Sequence, residues 1–347
     1  DGVILSADPQ IGQMHRGAEK LFESRDYRQV LLLADRHDWL SPVGSEIGAA
    51  LCMEHMLGID VSRRAQLLRM LVAELSRIAA HAMFISEFPM RTIDESVASS
   101  PAWMNAVRDW RTLRDDILEC VAALTGARVH VMWNVIGGVL NDADTQWCDR
   151  ARDLMSIDSL CDATAAVFDA PVVLQRLDGL TVINREMVSD HAITGITARA
   201  AGVQRDARRN PGYLLYDEFA DHLPTFSQST GSAQARINLL INEALASSGM
   251  VCVLSYALAD SPGEINIQLP KTVRMPEGSV YRETENALGI NGFWLVSAGD
   301  KMPHRLKIRA ASFSTLSAIP VVLAGLSTAD VIPTLATIPY LAGDSDR

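Results

Sequence analysis

Three groups of side chains in the sequence are suited to handling protons, electrons or anions. Glu74, Arg77 and His81 stand three and four positions apart, so on a helix they project from one face. Their neighbours are apolar, and a buried charge must find a partner. The stripe therefore reads as a satisfied ion pair in a structural polar network, with proton handling as the alternative. Asp35-Arg36-His37-Asp38-Trp39 gathers four titratable groups and an aromatic between two helical segments. His37, as a catalytic candidate with Asp38, could hold a raised pKa and exchange protons near neutrality, while Arg36 could stabilise an anion or a reduced centre. A solvated turn with a capping Asp is the plainer reading. Arg16 in His15-Arg16-Gly17 and His130 after Gly126-Ala127-Arg128-Val129 place cations near glycines. Neither segment has the GxGxxG or GxxxxGK[ST] frame, so direct NADH or ATP binding is not expected. The run Arg205 to Pro211 reads as a surface loop, with an acidic protein partner as the functional alternative.

The elements that must position these residues follow from periodicity. Trp103, Val107, Trp110, Leu113, Ile117, Val121 and Leu124 recur every three or four positions and predict a long amphipathic helix over Pro101 to Leu124. Ser62 to Ile85 is apolar most of the way round, as for a central helix. Shorter helices are expected over His15–Ala34, Gly44–Leu57, Thr145–Val167, Ala233–Ala246 and Ser314–Leu326. From Gly263 to Ser312 alternation and turn signals predict a small antiparallel sheet. The expected class is α+β, organised as a helical body (1–262), a β-rich insert (263–312) and a helical segment returning to the body (313–347).

Composition narrows the function. Lys+Arg 31 against Asp+Glu 42 gives a net charge of −11, the wrong sign for a nucleic-acid partner. The five cysteines form no CxxC, so no metal site can be written from them, and they read as core residues in a reducing compartment. The longest apolar stretches, Val129–Leu140 and Ala318–Leu326, fall short of the roughly 20 residues that span a bilayer. The start, Asp1-Gly2-Val3-Ile4, lacks an initiator Met and an apolar signal core, as in a fragment or trimmed chain.

Several motifs in one order resemble a known family. They are Gly12-Gln13-Met14-His15-Arg16-Gly17-Ala18-Glu19-Lys20, Asp35 to Ser41, Ala73-Glu74-Leu75-Ser76-Arg77-Ile78, Gly126 to His130 with Gly137-Gly138, Arg199 to Gly202 with Arg208 to Pro211, Pro303 to Arg309, and the final Gly343-Asp344-Ser345-Asp346-Arg347. Together they resemble the D subunit of the NADH-quinone oxidoreductase of respiratory complex I, a relative of the nickel–iron hydrogenase large subunit, and look most like a divergent second bacterial copy. The resemblance implies a hydrogenase-large-subunit-like fold and a quinone cavity formed with an iron–sulfur partner subunit. It implies no cofactor or metal on this chain, quinone as substrate, the iron–sulfur cluster on the partner, and NADH and flavin on other subunits. The implied setting is the cytoplasmic face of the membrane, among other peripheral-arm and membrane-arm subunits of an ion-translocating assembly, with the isolated chain inactive. By the same resemblance Arg16, Arg36 and His130 lie near the partner's cluster, and Trp39 and Arg36 border the quinone.

The departures from the family are chemical. Trp39 stands where the family has a headgroup-binding Tyr; its indole N–H can donate a hydrogen bond but supplies no proton. The family's HPxxHG hairpin is absent, and the Asp that partners its His aligns with Arg91. His37 is then the nearest remaining donor. Val135-Ile136, Ser232 and Ile338-Pro339 each replace a charged family residue, and loss on both sides of a pair is expected to leave no buried ion uncompensated. A non-catalytic scaffold or assembly module is the alternative function on these grounds, and a non-quinone acceptor is a third.

Overall fold

The computed structural model describes residues 2–347 except Thr225 and Ser227. Four long helices carry the body: α1 (Pro42–Leu57), α2 (Arg63–Ser86), α3 (Pro101–Thr125) and α4 (Ala233–Ala259). Ser62 caps α2 by accepting a hydrogen bond from the Ala65 N–H at 3.2 Å, worth about 1 kcal/mol. For α3, Ser100 and Pro101 set the start and Gly126, at φ 87°, the end. Leu67, Leu71, Leu75 and Ile78 of α2 pack against Trp110, Leu113 and Ile117 of α3 and Ile237, Ile241 and Leu254 of α4 to form the main core. The central position expected for α2 follows from its burial along nearly its whole length.

Two small antiparallel sheets complete an α+β fold. A short hairpin pairs β1 (Asn134–Val135) with β2 (Gly138–Val139), and a three-stranded sheet orders β3 (Gly278–Asn286), β4 (Gly289–Ser297) and β5 (Arg305–Arg309). The larger sheet lies where alternation places it. It packs against α1 through Gly44 and Gly48: a Cβ at Gly44 would fall 1.8 Å from Asn286 Oδ1, and one at Gly48 2.5 Å from the Phe293 ring.

Local chemistry explains the differences from the expected elements. The helix expected over His15–Ala34 is two, Ala18–Phe22 and Tyr27–Leu33, because Asp26 caps the second by accepting from the Gln29 N–H. Thr145–Val167 and Ser314–Leu326 are likewise broken, the latter just before Pro320, which lacks an N–H to continue a helix. Helix α4 runs 13 residues beyond its expected end at Ala246. It has the length and composition to cross a membrane, but 61% of its most apolar window is buried inside the fold. The run Arg205 to Pro211 is not a plain surface loop: Ala207 and Arg208 are buried, and Arg208 is ion-paired in the interior.

Candidate functional site

The segment between the helix Tyr27–Leu33 and α1 buries three of its four titratable groups, Asp35, His37 and Asp38, and exposes Arg36. Asp35 is buried, 3.1 Å from His130 Nδ1 and 3.6 Å from Arg36 Nε, so it links these two side chains. Arg36 is exposed and also donates to Met132 Sδ at 3.0 Å. His37 and Asp38 turn inward. His37 Nδ1 lies 2.8 Å from Asp344 Oδ1, and the second Asp344 oxygen accepts from the Ser312 N–H at 2.8 Å. Asp38 accepts from the Ser41 N–H and from Asn286 Nδ2, each at 3.0 Å. His37 Nε2 is buried without a hydrogen-bond partner among the described residues.

Burial and like charge set the protonation of this cluster. Burial pushes Asp38 up to about 6, reinforced by the Asp344 carboxylate, and His37 and its two hydrogen bonds only partly offset this. For His37 burial alone would lower the pKa, but Asp344, Asp38 and Asp35 together raise it above the ordinary imidazole value. Burial opposes ionisation of Asp344 too, yet its bonds to His37 and Ser312 hold it below the usual carboxylate range. The ionised Asp344 therefore receives the His37 Nδ1–H, leaving Nε2 as the free face of the ring.

Trp39 is half-buried and, with Pro42, Arg114, Arg128 and Val131, borders a cavity of about 30 Å³. That volume holds a water-sized group and not a quinone ring. Arg36 does not line this cavity; it faces Met132, at the edge of a separate, largely apolar cavity of about 390 Å³. Arg16 is exposed, and the neighbouring His15 meets the Asp346 carbonyl at 2.8 Å, in the same C-terminal segment that carries Asp344. The fold thus brings Asp344 to His37, and Arg36 to His130 through Asp35.

Glu74, Arg77 and His81 belong to a larger buried network. Glu74 accepts from Arg77 at 3.2 Å, Arg208 at 3.1 Å, Tyr216 Oη at 2.7 Å and Ser247 Oγ at 2.7 Å. His81 Nε2 lies 3.5 Å from Glu243, which pairs with Arg199, and Arg199 reaches Glu285 at 2.8 Å. Burial would raise Glu74, but Arg208 and Arg77 hold it down to about 2. His81 is pushed below its usual value by burial, with Arg77 and Arg199 acting in the same direction.

Two departures have structural outcomes. Arg91 is exposed, 3.9 Å from Glu95. Arg236 corrects the expectation of full charge compensation: it is fully buried and, among the described residues, bonds only Thr337 Oγ1 and the carbonyls of Gly231 and Thr181. Burial lowers its pKa to about 9. Among the described residues no group of three His, Cys, Asp or Glu is placed to hold a metal, and burial pushes the Cys52 and Cys161 thiols up to about 12.

Sequence reasoning misses Asp344 and Asn286 as partners for His37 and Asp38, and Glu243 and Glu285 as partners for the helix stripe. Asp344 stands 307 positions from His37, and no local pattern signals such a pairing.

Comparison with known proteins matches the chain to the family model of the respiratory-chain NADH dehydrogenase 49 kDa subunit over residues 104–273 and 264–347. The NADH-quinone oxidoreductase D subunit numbered 2 in Streptomyces griseus is 38% identical, covering 99% of this chain and 86% of its own. The D subunit numbered 1 in Streptomyces coelicolor is 39% identical, covering 99% of this chain and 88% of its own. The D subunit of Carboxydothermus hydrogenoformans is 32% identical, covering 99% and 91%. With these similarities running along almost its entire length, the chain belongs to the family of the 49 kDa or D subunit of NADH-quinone oxidoreductase.

Proposed function

We propose that this chain forms, with an iron–sulfur partner subunit, the chamber in which a quinone is reduced to quinol. The observation that carries the proposal is the buried His37–Asp344 pair, 2.8 Å apart, in the segment that leads to Trp39. Quinone reduction takes up two electrons and two protons, and the protons need a donor with a pKa near neutrality. An imidazolium at His37, held against ionised Asp344, stores one such proton, and Nε2 is the atom that releases it. Asp38, raised to about 6, is the second candidate store. The Trp39 indole N–H positions a headgroup carbonyl without giving up its proton.

The electrons come from the partner's cluster. Arg36 and Arg16 supply positive charge on the side facing that cluster, which favours its reduced state, and His130, joined to Arg36 through Asp35, lies on the same side. The cavity at Trp39 is smaller than a quinone ring, so the rest of the headgroup chamber is contributed by the partner surface. NADH and flavin belong to other subunits, membrane-arm subunits carry ion translocation, and this chain sits peripherally at the cytoplasmic face. On its own it is inactive.

The test is purification of the tagged protein in gentle detergent, with mass spectrometry of its partners and an inhibitor-sensitive quinone reduction assay on the same sample. An iron–sulfur subunit together with turnover is the expected result. The same partners without turnover would contradict the catalytic reading and leave a scaffold.

A further inference from the structure

One buried carboxylate outside the clusters above has an unusual set of partners. Glu46 of α1 is fully buried and accepts four N–H groups: the backbone of Met132 at 2.6 Å, Trp133 at 3.3 Å and Asn134 at 3.0 Å, and Asn134 Nδ2 at 2.8 Å. Among the described residues no lysine or arginine pairs with it. Met132, the first residue it holds, has φ 46°, a left-handed conformation that costs a non-glycine residue energy. The Met132 sulfur is the seat of Arg36. Two turns along α1, Glu54 with its ion-pair partner Arg69 of α2 pins the following residues, Glu54 accepting the Gly137 N–H at 2.7 Å and Arg69 donating to the Val135 and Gly138 carbonyls at 2.9 Å. The hairpin end of this segment is thus held by a complete ion pair, whereas at the Met132 end the carboxylate that gathers the backbone N–H groups, Glu46, has no paired cation among the described residues.

A second observation supplies an alternative state. Asn134 Oδ1 is buried and has no partner among the described residues. A half-turn of the amide would offer it to a protonated Glu46 in place of Nδ2. We infer that Glu46 is a positioning residue that works as a proton-operated latch: ionised, it fixes the backbone of residues 132–134 and with it the seat of Arg36; protonated on Oε2, it donates to Asn134 Oδ1 and frees the Trp133 and Asn134 backbone N–H groups, leaving Oε1 on the Met132 N–H. Among the described residues the charged groups facing it are few. Asp35 approaches from the preceding segment, with His130 and Arg36 behind it; α2 offers Arg69, committed to Glu54; and β3 and β4 meet α1 on the opposite face, at Gly44 and Gly48. Burial, aided by the Asp35 charge, raises Glu46 to about 7 against the pull of its hydrogen bonds, so the latch operates near neutrality. The consequence for Arg36 rests on the function proposed above, whereas the latch does not.

Hydrogen exchange of the full chain, read by mass spectrometry on peptides spanning 130–136 and on control peptides within α2, tests it without any activity assay. After correction for chemical exchange rates, protection of the turn relative to α2 should fall about tenfold between about pH 8.5 and about pH 5.5. In Glu46→Gln it should be low at both values. A ratio that does not change with pH in the unmodified chain would overturn the inference, as would the same fall in Glu46→Gln. If that variant does not fold, Asn134→Ala replaces it: loss of the Nδ2–H that the ionised carboxylate accepts should move the midpoint to higher pH, and an unmoved midpoint would count against the latch.

Discussion

The networks around Glu74 and around Asp38 are equally buried and protonated in opposite ways. Glu74 bonds two guanidiniums and two hydroxyls, and is held down to about 2. Asp38 faces an amide, a backbone N–H and a second carboxylate, and is raised to about 6. Burial penalises the ionised form of each; what differs is whether a fixed cation offsets that penalty. The first network is suited to holding α2, α4 and β3 in register. The second is suited to taking up and releasing a proton.

The sharpest way to break this contrast is to remove the centre of the first network. Glu74→Ala leaves Arg77 and Arg208 buried without their shared carboxylate and is expected to cost about 3–5 kcal/mol in denaturant unfolding. A cost below about 1 kcal/mol would mean that the network is not what holds these elements together.

Asp38→Asn sharpens the other side. A carboxyl raised in the folded state stabilises fully below its ordinary value near 3.8, and this contribution is lost as pH rises through about 6. Glu74 has the opposite sign: its contribution is full above 4.5 and is lost as pH falls through about 2. Melting curves should therefore show the unmodified chain losing of the order of 2 kcal/mol of this contribution between about pH 4 and about pH 7, and the Asn variant lacking that slope. The same slope in both chains would place the titration elsewhere. At the small end, Arg91→Ala removes an exposed pair at 3.9 Å and should change stability by no more than about 0.5 kcal/mol at any pH, by the same melting curves.

How far these regions can be read in the sequence depends on the range of the pattern. The α2 stripe and the period of α3 are local, and the large sheet announces itself by alternation, so elements and fold class are legible. The breaks at Asp26 and Pro320 lie in capping and missing-donor chemistry inside otherwise continuous apolar periods. The ionic partners are not legible, because Arg208 reaches Glu74 across 134 positions and Asp344 reaches His37 across 307. Arg208 reads as a solvated cation in its run of charges, and only the packing of that run against α2 reveals it as the counter-ion. Arg236 shows the same limit from the other side: a buried cation is held by a hydroxyl and two carbonyls, a solution that no charge count could indicate.

If the carboxylate-rich cluster at His37 supplies protons to a bound quinone, the most direct measurement is inhibitor-sensitive quinone reduction by the purified assembly carrying His37→Gln, as kcat and KM across pH. Normal assembly and little change in KM are expected, with kcat lowered at least about tenfold and its pH dependence near neutrality flattened. An unchanged kcat and pH profile in a fully assembled variant would contradict a proton-donating role for His37.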